Sequence, residues 1–455
     1  MMFWYTLACV FTLCALVRAR DPVNQWDVPD FYFSGVSTFA HLPHEKCLVQ
    51  EHTDFDVAVL GVPLDTAVSY RPGARFGPRA IRAGSARQTV FRSFNPALGV
   101  NPYVSKTKFL DCGDIPVTPF DNELAFQQIE DAYDDLLHRN VPQGPGTISA
   151  LPSRTKNGKP VHFAKDKKQH PRMAVMGGDH SIALPILRSL NKVYGPVSVL
   201  HFDSHLDTWA PNQYGAASRG TGISGYTHGT MLYHASQEGL VSNTSMHVGL
   251  RGLLSGADFE DYRRDASLGF TYLETWEVDQ LGLDGTVAAI RERLGDSPVY
   301  LSIDIDVLDP SIAPGTGTPV SGGLTSRELR SIIRMLSGIN LVGCEVVEVS
   351  PPYDTNGAYI YSLHAGEVTA LAAAELLYEL MSVMAIHPLD KVTVEPQARP
   401  PRPVSAAAPP LAEARQATLS WPLLTLVPAV SAALATVLTM RLLSRTTSPV
   451  KGKTA

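Results

Sequence analysis

Three short stretches concentrate the side chains that hold divalent cations. They are Met176-Gly177-Gly178-Asp179-His180-Ser181, His201-Phe202-Asp203-Ser204-His205-Leu206-Asp207, and Ser302-Ile303-Asp304-Ile305-Asp306-Val307-Leu308-Asp309-Pro310. In the second, Asp203, His205 and Asp207 alternate with Ser204 and Leu206. An extended chain puts such residues on one face, with Ser204 pointing away. Asp304 and Asp306 repeat the spacing. Four carboxylates aimed into one crevice repel each other at neutral pH unless cations neutralise them. Two divalent ions sharing carboxylates are the natural solution. A shell of carboxylates and imidazoles suits manganese better than a thiolate-preferring metal, with zinc, iron, nickel and cobalt left open. Taken singly, a His is ordinarily a packed core or surface residue, and an Asp after a strand is ordinarily a helix cap. Caps do not account for alternating Asp-His-Asp at a strand end, so the joint pattern points to metal chemistry.

Each stretch follows an apolar run with strand character. Strands are expected over 56–61, 108–111, 172–176, 197–203, 245–249, 270–273, 299–305 and 341–349. Helical patterns occupy 123–139, 182–193, 229–238, 279–294, 326–336 and 367–384. Continuously apolar strands alternating with helices predict an α/β fold, a mostly parallel eight-stranded sheet between two helical layers. In such sheets ligands collect at the carboxyl ends of the strands, where all three clusters stand. The Gly177-Gly178 pair reads as a sharp turn at one of those ends.

The whole chain has 455 residues, 44% hydrophobic, 18% charged, with a formal net charge of -6. That balance gives no reason to expect a nucleic-acid partner. The low charged fraction hints at membrane-associated segments. Residues 1–17 are almost wholly apolar, and Val17-Arg18-Ala19 offers a cleavage site, so 1–20 reads as a secretory signal. The catalytic domain is expected over 21–387, with a Pro-, Gly- and Lys-rich insertion at 140–171. Residues 388–415 read as a proline-rich linker. Residues 416–440 carry no charge and are long enough to span a bilayer; the basic tail 441–455 marks the cytoplasmic side. The expected location is the secretory pathway, membrane-anchored with an extracytosolic catalytic domain, or secreted. Beyond Cys9 and Cys14 in the signal, Cys47, Cys112 and Cys344 remain. One disulfide is possible after secretion, and three scattered buried thiols is the plainer expectation.

These motifs resemble those of the ureohydrolases, the family of arginase and agmatinase, across residues 34–387. Arg71-Pro72-Gly73-Ala74-Arg75-Phe76-Gly77-Pro78, Thr227-His228-Gly229-Thr230, Ala313-Pro314-Gly315-Thr316-Gly317-Thr318-Pro319 and Glu345-Val346-Val347-Glu348-Val349-Ser350-Pro351 extend the likeness in family order. The Arg-Pro-Gly-Ala-Arg run is similar to the agmatinase branch, and the flanking segments to secreted or membrane-tethered fungal members of it. The resemblance implies two manganese ions per subunit. One is held by His180, Asp203, Asp207 and Asp304, the other by His205, Asp203, Asp304 and Asp306, with Asp203 and Asp304 bridging. It further implies an activated hydroxide that attacks the guanidinium carbon and is hydrogen-bonded by Asp207. His228 becomes the proton shuttle and Glu348 the partner of the substrate guanidinium. Glu345, three residues away, is expected to face the other way and be structural. Asp179 and Asp309 are expected in turns, His201 in the core or behind the ligands, and His247 to have no role. Trimers or hexamers are the assemblies the resemblance suggests.

The substrate must be read from the loop after Asp207. Arginases carry an Asn two residues past that ligand, and Trp209 stands here instead. An aromatic face favours a cationic amine over an amino-acid head, so agmatine is expected first, with putrescine and urea as products. Arginase and guanidinobutyrase activities are the near alternatives. A single-zinc deacetylase does not use the second metal position, and a guanidine- or polyamine-binding pseudoenzyme would be marked by a missing ligand, whereas none is missing.

Overall fold

The computed structural model describes residues 35–142, 164–211, 225–354 and 367–386. The signal 1–20, the linker, 416–440, the basic tail and most of the 140–171 insertion lie outside the described residues.

Eight strands form one sheet: β1 (Val57–Val62), β2 (Phe109–Asp114), β3 (Arg172–Gly177), β4 (Ser198–Phe202), β5 (Ser245–Leu250), β6 (Phe270–Glu274), β7 (Pro298–Asp304) and β8 (Asn340–Val347). Their order is β2-β1-β3-β8-β7-β4-β5-β6, and every pairing is parallel. All eight expected strands are present, with ends that move by up to three residues.

Side chains alternate across each strand, so both faces need a cover. Val57, Val59, Ala174, Met176, Leu200 and Phe202 pack into one cluster with the helices α7 (Ser326–Met335) and α8 (Val368–Ile386). Ala58, Leu60, Met173, Val175 and Val199 pack on the opposite side against α2 (Asn122–Leu137) and α3 (Ala183–Tyr194). The result is a three-layer α/β/α arrangement. Two further helices are absent from the sequence expectations: α1 (Gly77–Gly84) and α5 (Glu260–Ser267). Between them lies α4 (Met231–Gln237), and α6 (Thr275–Leu294) follows α5.

Among the described residues, one helix is long and apolar enough to cross a membrane, α8, and it belongs to the core. Its buried Glu379 accepts from Arg330 Nε at 3.0 Å, Arg334 Nε at 2.9 Å and Asn95 Nδ2 at 2.8 Å. Two guanidinium partners compensate the buried carboxylate and tie α8 to α7.

The expectation of three free thiols is corrected. Cys47 and Cys112 form a disulfide with Cα atoms 5.1 Å apart, and Cys344 alone remains a buried thiol. The cause is local: His44 bridges Asp111, drawing the segment that carries Cys47 alongside β2. Closing 65 residues of chain removes unfolded-state entropy worth about 4 kcal/mol by the loop-closure relation.

The glycine pair does more than turn the chain. Neither Gly177 nor Gly178 has a positive φ. A Cβ on Gly178 would stand 1.8 Å from the Leu64 carbonyl oxygen, and one on Gly177 2.5 Å from Val347 Cγ1. The chain does bend at Gly178 and Asp179 after β3, and the glycines also admit close packing there, Gly178 against the Leu64 backbone and Gly177 against Val347.

Candidate metal centre

Four adjacent central strands, β3, β8, β7 and β4, deliver the candidate residues from their carboxyl ends. The chain leaves β3 for β4, and the gap is filled later by β7 and β8, which opens a crevice there.

His180 begins a short 3-10 turn after β3, capped by Asp179, whose Oδ1 accepts from the Ser181 amide at 3.0 Å. Its Nδ1 lies 3.2 Å from Asp203 Oδ2, 3.2 Å from Asp207 Oδ2 and 3.4 Å from Asp304 Oδ2. On the far side of the ring, Nε2 is 2.6 Å from Ser302 Oγ, which donates to Glu345 Oε1 at 2.7 Å. With that hydroxyl proton committed to Glu345, Nε2 is the donor and Nδ1 is the atom that faces the carboxylates. A ring oriented this way offers Nδ1 to a metal once any proton there is displaced. His180 Nδ1 and Asp203 Oδ2 are buried 3.2 Å apart in a geometry that makes no hydrogen bond. A nitrogen and carboxylate oxygens converging in the interior fit a cation between them.

A second cluster abuts the first. His205 Nδ1 lies 3.3 Å from Asp203 Oδ1 and 3.1 Å from Asp306 Oδ2. Asp203 therefore faces both clusters, one oxygen to each. Asp304 turns Oδ2 toward His180, while its Oδ1 accepts from the Asp306 amide at 2.8 Å. In the metal-free protein these charges compensate one another. Burial and the Asp306 and Asp203 charges push the Asp304 carboxyl well above the usual range. Burial and the Asp203 charge raise Asp207 to about 6. Burial opposes charge on Asp203 too, but His201, His180 and His205 hold its carboxyl well below the ordinary value. Burial lowers the pKa of His180 and His205, and their carboxylate partners more than offset it, raising both well above normal.

The period-two argument for these ligands is corrected. β4 ends at Phe202, and Asp207 has φ of 54°, so residues 203–207 are not a strand. The ligands converge because the chain folds back over the strand end. Ser204 does not point away: its amide and hydroxyl donate to Asp306 Oδ1 at 3.1 and 2.8 Å. Glu345 does not face the other way either; it sits 3.8 Å from His180 Nε2 behind Ser302. Asp309 does occupy a turn, accepting from the Ser311 and Gly322 amides at 2.9 and 2.8 Å.

Glu348 follows β8 with φ of 60°. Two non-glycine residues in the left-handed region at one crevice mark a backbone strained for a purpose. Its Oε1 accepts from the His180 amide at 2.9 Å and meets His228 Nδ1 at 3.0 Å. Its Oε2 is buried without a hydrogen-bond partner. His228 is held by its amide on the Ala67 carbonyl at 3.2 Å, and Ala67 by Asp179 Oδ2 at 3.0 Å. Its Nε2 lies 2.9 Å from the Ser69 amide and 2.7 Å from the Ser69 hydroxyl.

Trp209 is half-buried, its ring centroid 6.3 Å from that of His205. Its indole N–H is directed to Asp261 Oδ2 at 3.3 Å. Thr208 Oγ1 donates to Asp265 Oδ1 at 2.8 Å. Asp261 and Asp265 are one turn apart on α5, so a helix absent from the sequence expectations pins the loop after Asp207. Residues 212–224 of that loop lie outside the described residues.

The sequence model of a family described as the Arginase family matches residues 55–382. "Putative agmatinase 1" of Schizosaccharomyces pombe is 48% identical over 81% of this chain and 87% of its own length. The guanidinobutyrase of Pseudomonas aeruginosa is 36% identical over 80% of this chain and 97% of its own. Among solved structures, the proclavaminate amidinohydrolase of Streptomyces clavuligerus superposes with a TM-score of 0.62 at 32% identity, covering 78% of this chain and 99% of its own.

Proposed function

This chain belongs to the arginase family of hydrolases acting on guanidino carbon–nitrogen bonds, and we propose that it is a binuclear manganese enzyme splitting agmatine into putrescine and urea. The observation that carries the reaction type is the pair of histidine–carboxylate clusters joined by Asp203, with the bare Glu348 Oε2 beside them. His180, Asp203, Asp207 and Asp304 would hold one ion, and Asp203, His205, Asp304 and Asp306 the other. Bound there, the ions supply water acidified enough to act as a nucleophile at neutral pH. Glu348 Oε2 pairs with the planar guanidinium and turns its carbon toward the two clusters. Asp207 accepts a proton from the attacking water. The bond from that carbon to the substituted nitrogen breaks, and His228 protonates the departing nitrogen, so that a neutral amine leaves rather than an amide anion.

Agmatine is supported by the 48% identical relative and by Trp209. With its N–H committed to Asp261, the indole offers a π-face and no donor, which suits a cationic amine and disfavours a carboxylate. One observation favours a second reading, a guanidino acid. The Arg71 guanidinium lies 5.1 and 5.3 Å from the Tyr70 and Tyr353 ring centroids and has no ion pair among the described residues. A Cβ on Gly317 would touch both the Arg71 carbonyl oxygen and Glu348 Oε2, so this cation's segment runs beside the site. The panel that separates the readings is agmatine, arginine and 4-guanidinobutyrate at matched manganese. Agmatine is expected to lead in kcat/KM, and Trp209→Ala to erode that lead by about two- to thirty-fold. A lead for 4-guanidinobutyrate that Arg71→Gln abolishes would establish the second reading instead.

We further propose that the catalytic domain lies outside the cytosol, tethered through 416–440. The Cys47–Cys112 disulfide supports an oxidising compartment. Protease added to intact vesicles should spare the catalytic domain and cleave a C-terminal tag; a protected tag with a digested domain refutes this topology.

A further inference from the structure

β4 and β5 are neighbours in register, with His201 directly opposite His247. The two Nδ1 atoms are 2.7 Å apart. His247 Nε2 lies 3.0 Å from Asp265 Oδ1 on α5. At the other end, His201 Nε2 lies 3.0 Å from Asp203 Oδ2. Asp203, His201, His247 and Asp265 all have 0% exposure, so bulk water supplies none of their partners. The result is a continuous buried file from a carboxylate on a peripheral helix to the carboxylate shared by the two clusters.

Asp265 is a costly residue to bury, because its Oδ2 finds no hydrogen bond. Its Oδ1, by contrast, meets His247, which ties the carboxylate to the file. Of two facing Nδ1 atoms, one must donate and the other accept, so the two rings hold each other's orientation. His201 Nε2 is thereby set 3.0 Å from Asp203 Oδ2. The His247 ring is held in place by stacking on Phe270 at 4.4 Å. The same Asp265 oxygen also takes the Thr208 hydroxyl, next to Asp207, so one carboxylate reaches both ends of the 203–207 segment.

We propose that Asp265 is a remote positioning residue: acting through His247 and His201, it fixes Asp203 between the two cation positions, and through Thr208 it fixes Asp207. This rests on reading the two clusters as a metal centre. Partners that orient ligands typically account for 10–100-fold in metal affinity. Manganese is titrated into the metal-free full-length chain, wild type and Asp265→Asn, following free manganese by electron paramagnetic resonance. The wild type should take up two ions. Asp265→Asn should take up the same number roughly 10–100-fold more weakly. Its metal-free melting temperature should not fall, because an uncharged amide is easier to bury. Urea release should recover at saturating manganese with an unchanged KM, a rescue that a folding defect does not give. Should Asp265→Asn fail to fold, His247→Gln carries the same expectations. A wild type that binds two ions beside an equally avid variant overturns this inference alone, as does weakened binding matched by a lower metal-free melting temperature. A wild type that takes up no manganese overturns the metal reading and this inference with it.

Discussion

Replacing Asp203 by Ala abolishes urea release even with excess manganese, a fall of at least about 10³-fold, equivalent to roughly 4 kcal/mol of lost charge stabilisation. Asp203 is the side chain that faces both clusters, 3.2 Å from His180 Nδ1 and 3.3 Å from His205 Nδ1. Its removal loosens both cation positions, whereas His205→Ala opens only one. Metal analysis after gel filtration should find both ions depleted in Asp203→Ala and one in His205→Ala. Retention of two ions with turnover within tenfold of wild type contradicts the assignment.

Protons compete for the same atoms, and the sign of the competition follows from the metal-free charges. Asp207 rises to about 6, Asp304 is pushed further up, and His180 and His205 hold protons tightly. Groups whose folded pKa is raised stabilise the fold below their unfolded values and lose that contribution as pH rises through the folded ones. The Asp207 contribution is thus present below about 4 and gone above about 6. Asp203 has the opposite sign, but its loss falls at pH below the ordinary carboxylate range. Metal-free protein should therefore melt lower as pH rises from 4 to 7. Manganese, which displaces these protons, should bind more tightly over the same interval and reverse the trend.

Why some of this was legible in the sequence and some was not is a matter of which signal each feature leaves. Buried parallel strands leave continuous apolar runs, so β1, β3, β4 and β7 are readable. The ligand clusters follow those runs directly. α5 was invisible because its buried residues are carboxylates, Asp261 and Asp265, not an apolar stripe. The role of His247 depends on register, since only pairing with β4 sets it opposite His201. Ser69 is 159 residues from His228 and leaves no motif at all. Ser302 and Glu345 belong to separate motifs, yet the Ser302 hydroxyl can reach both His180 and Glu345 only because β7 and β8 pair with Ser302 opposite Glu345. The period-two reading brought the right ligands together for the wrong reason, because Asp207 needs a left-handed backbone that no periodicity announces.

His228→Ala should lower kcat by roughly 10²–10⁴-fold while both ions stay bound. The ring touches Glu348 and Ser69 and is not among the atoms of either cation cluster. To protonate a departing nitrogen it must hold a proton, and Glu348 governs how tightly. Burial alone lowers its pKa, but the Glu348 charge and hydrogen bond more than offset that and raise it to about 9. The protonated form is then present below about 9 and lost as pH rises through it, so turnover should fall on the alkaline side. Cations bound beside Asp207 oppose a further positive charge, which places the observed limb at or below that value. Ser69 explains how the proton can come and go. Its amide at 2.9 Å from Nε2 needs a lone pair there, while its hydroxyl at 2.7 Å accepts equally well from an N–H. Protonation at Nε2 gives up the amide contact and keeps the hydroxyl one, with Nδ1–H on Glu348 throughout. Ser69 is exposed, so the exchangeable proton sits on the solvent side of the ring. The pH dependence of kcat for wild type and His228→Ala, at saturating manganese, tests this. The variant should lose the alkaline limb along with most of its rate; a variant within threefold of wild type, or one that keeps the limb, assigns the proton to another group.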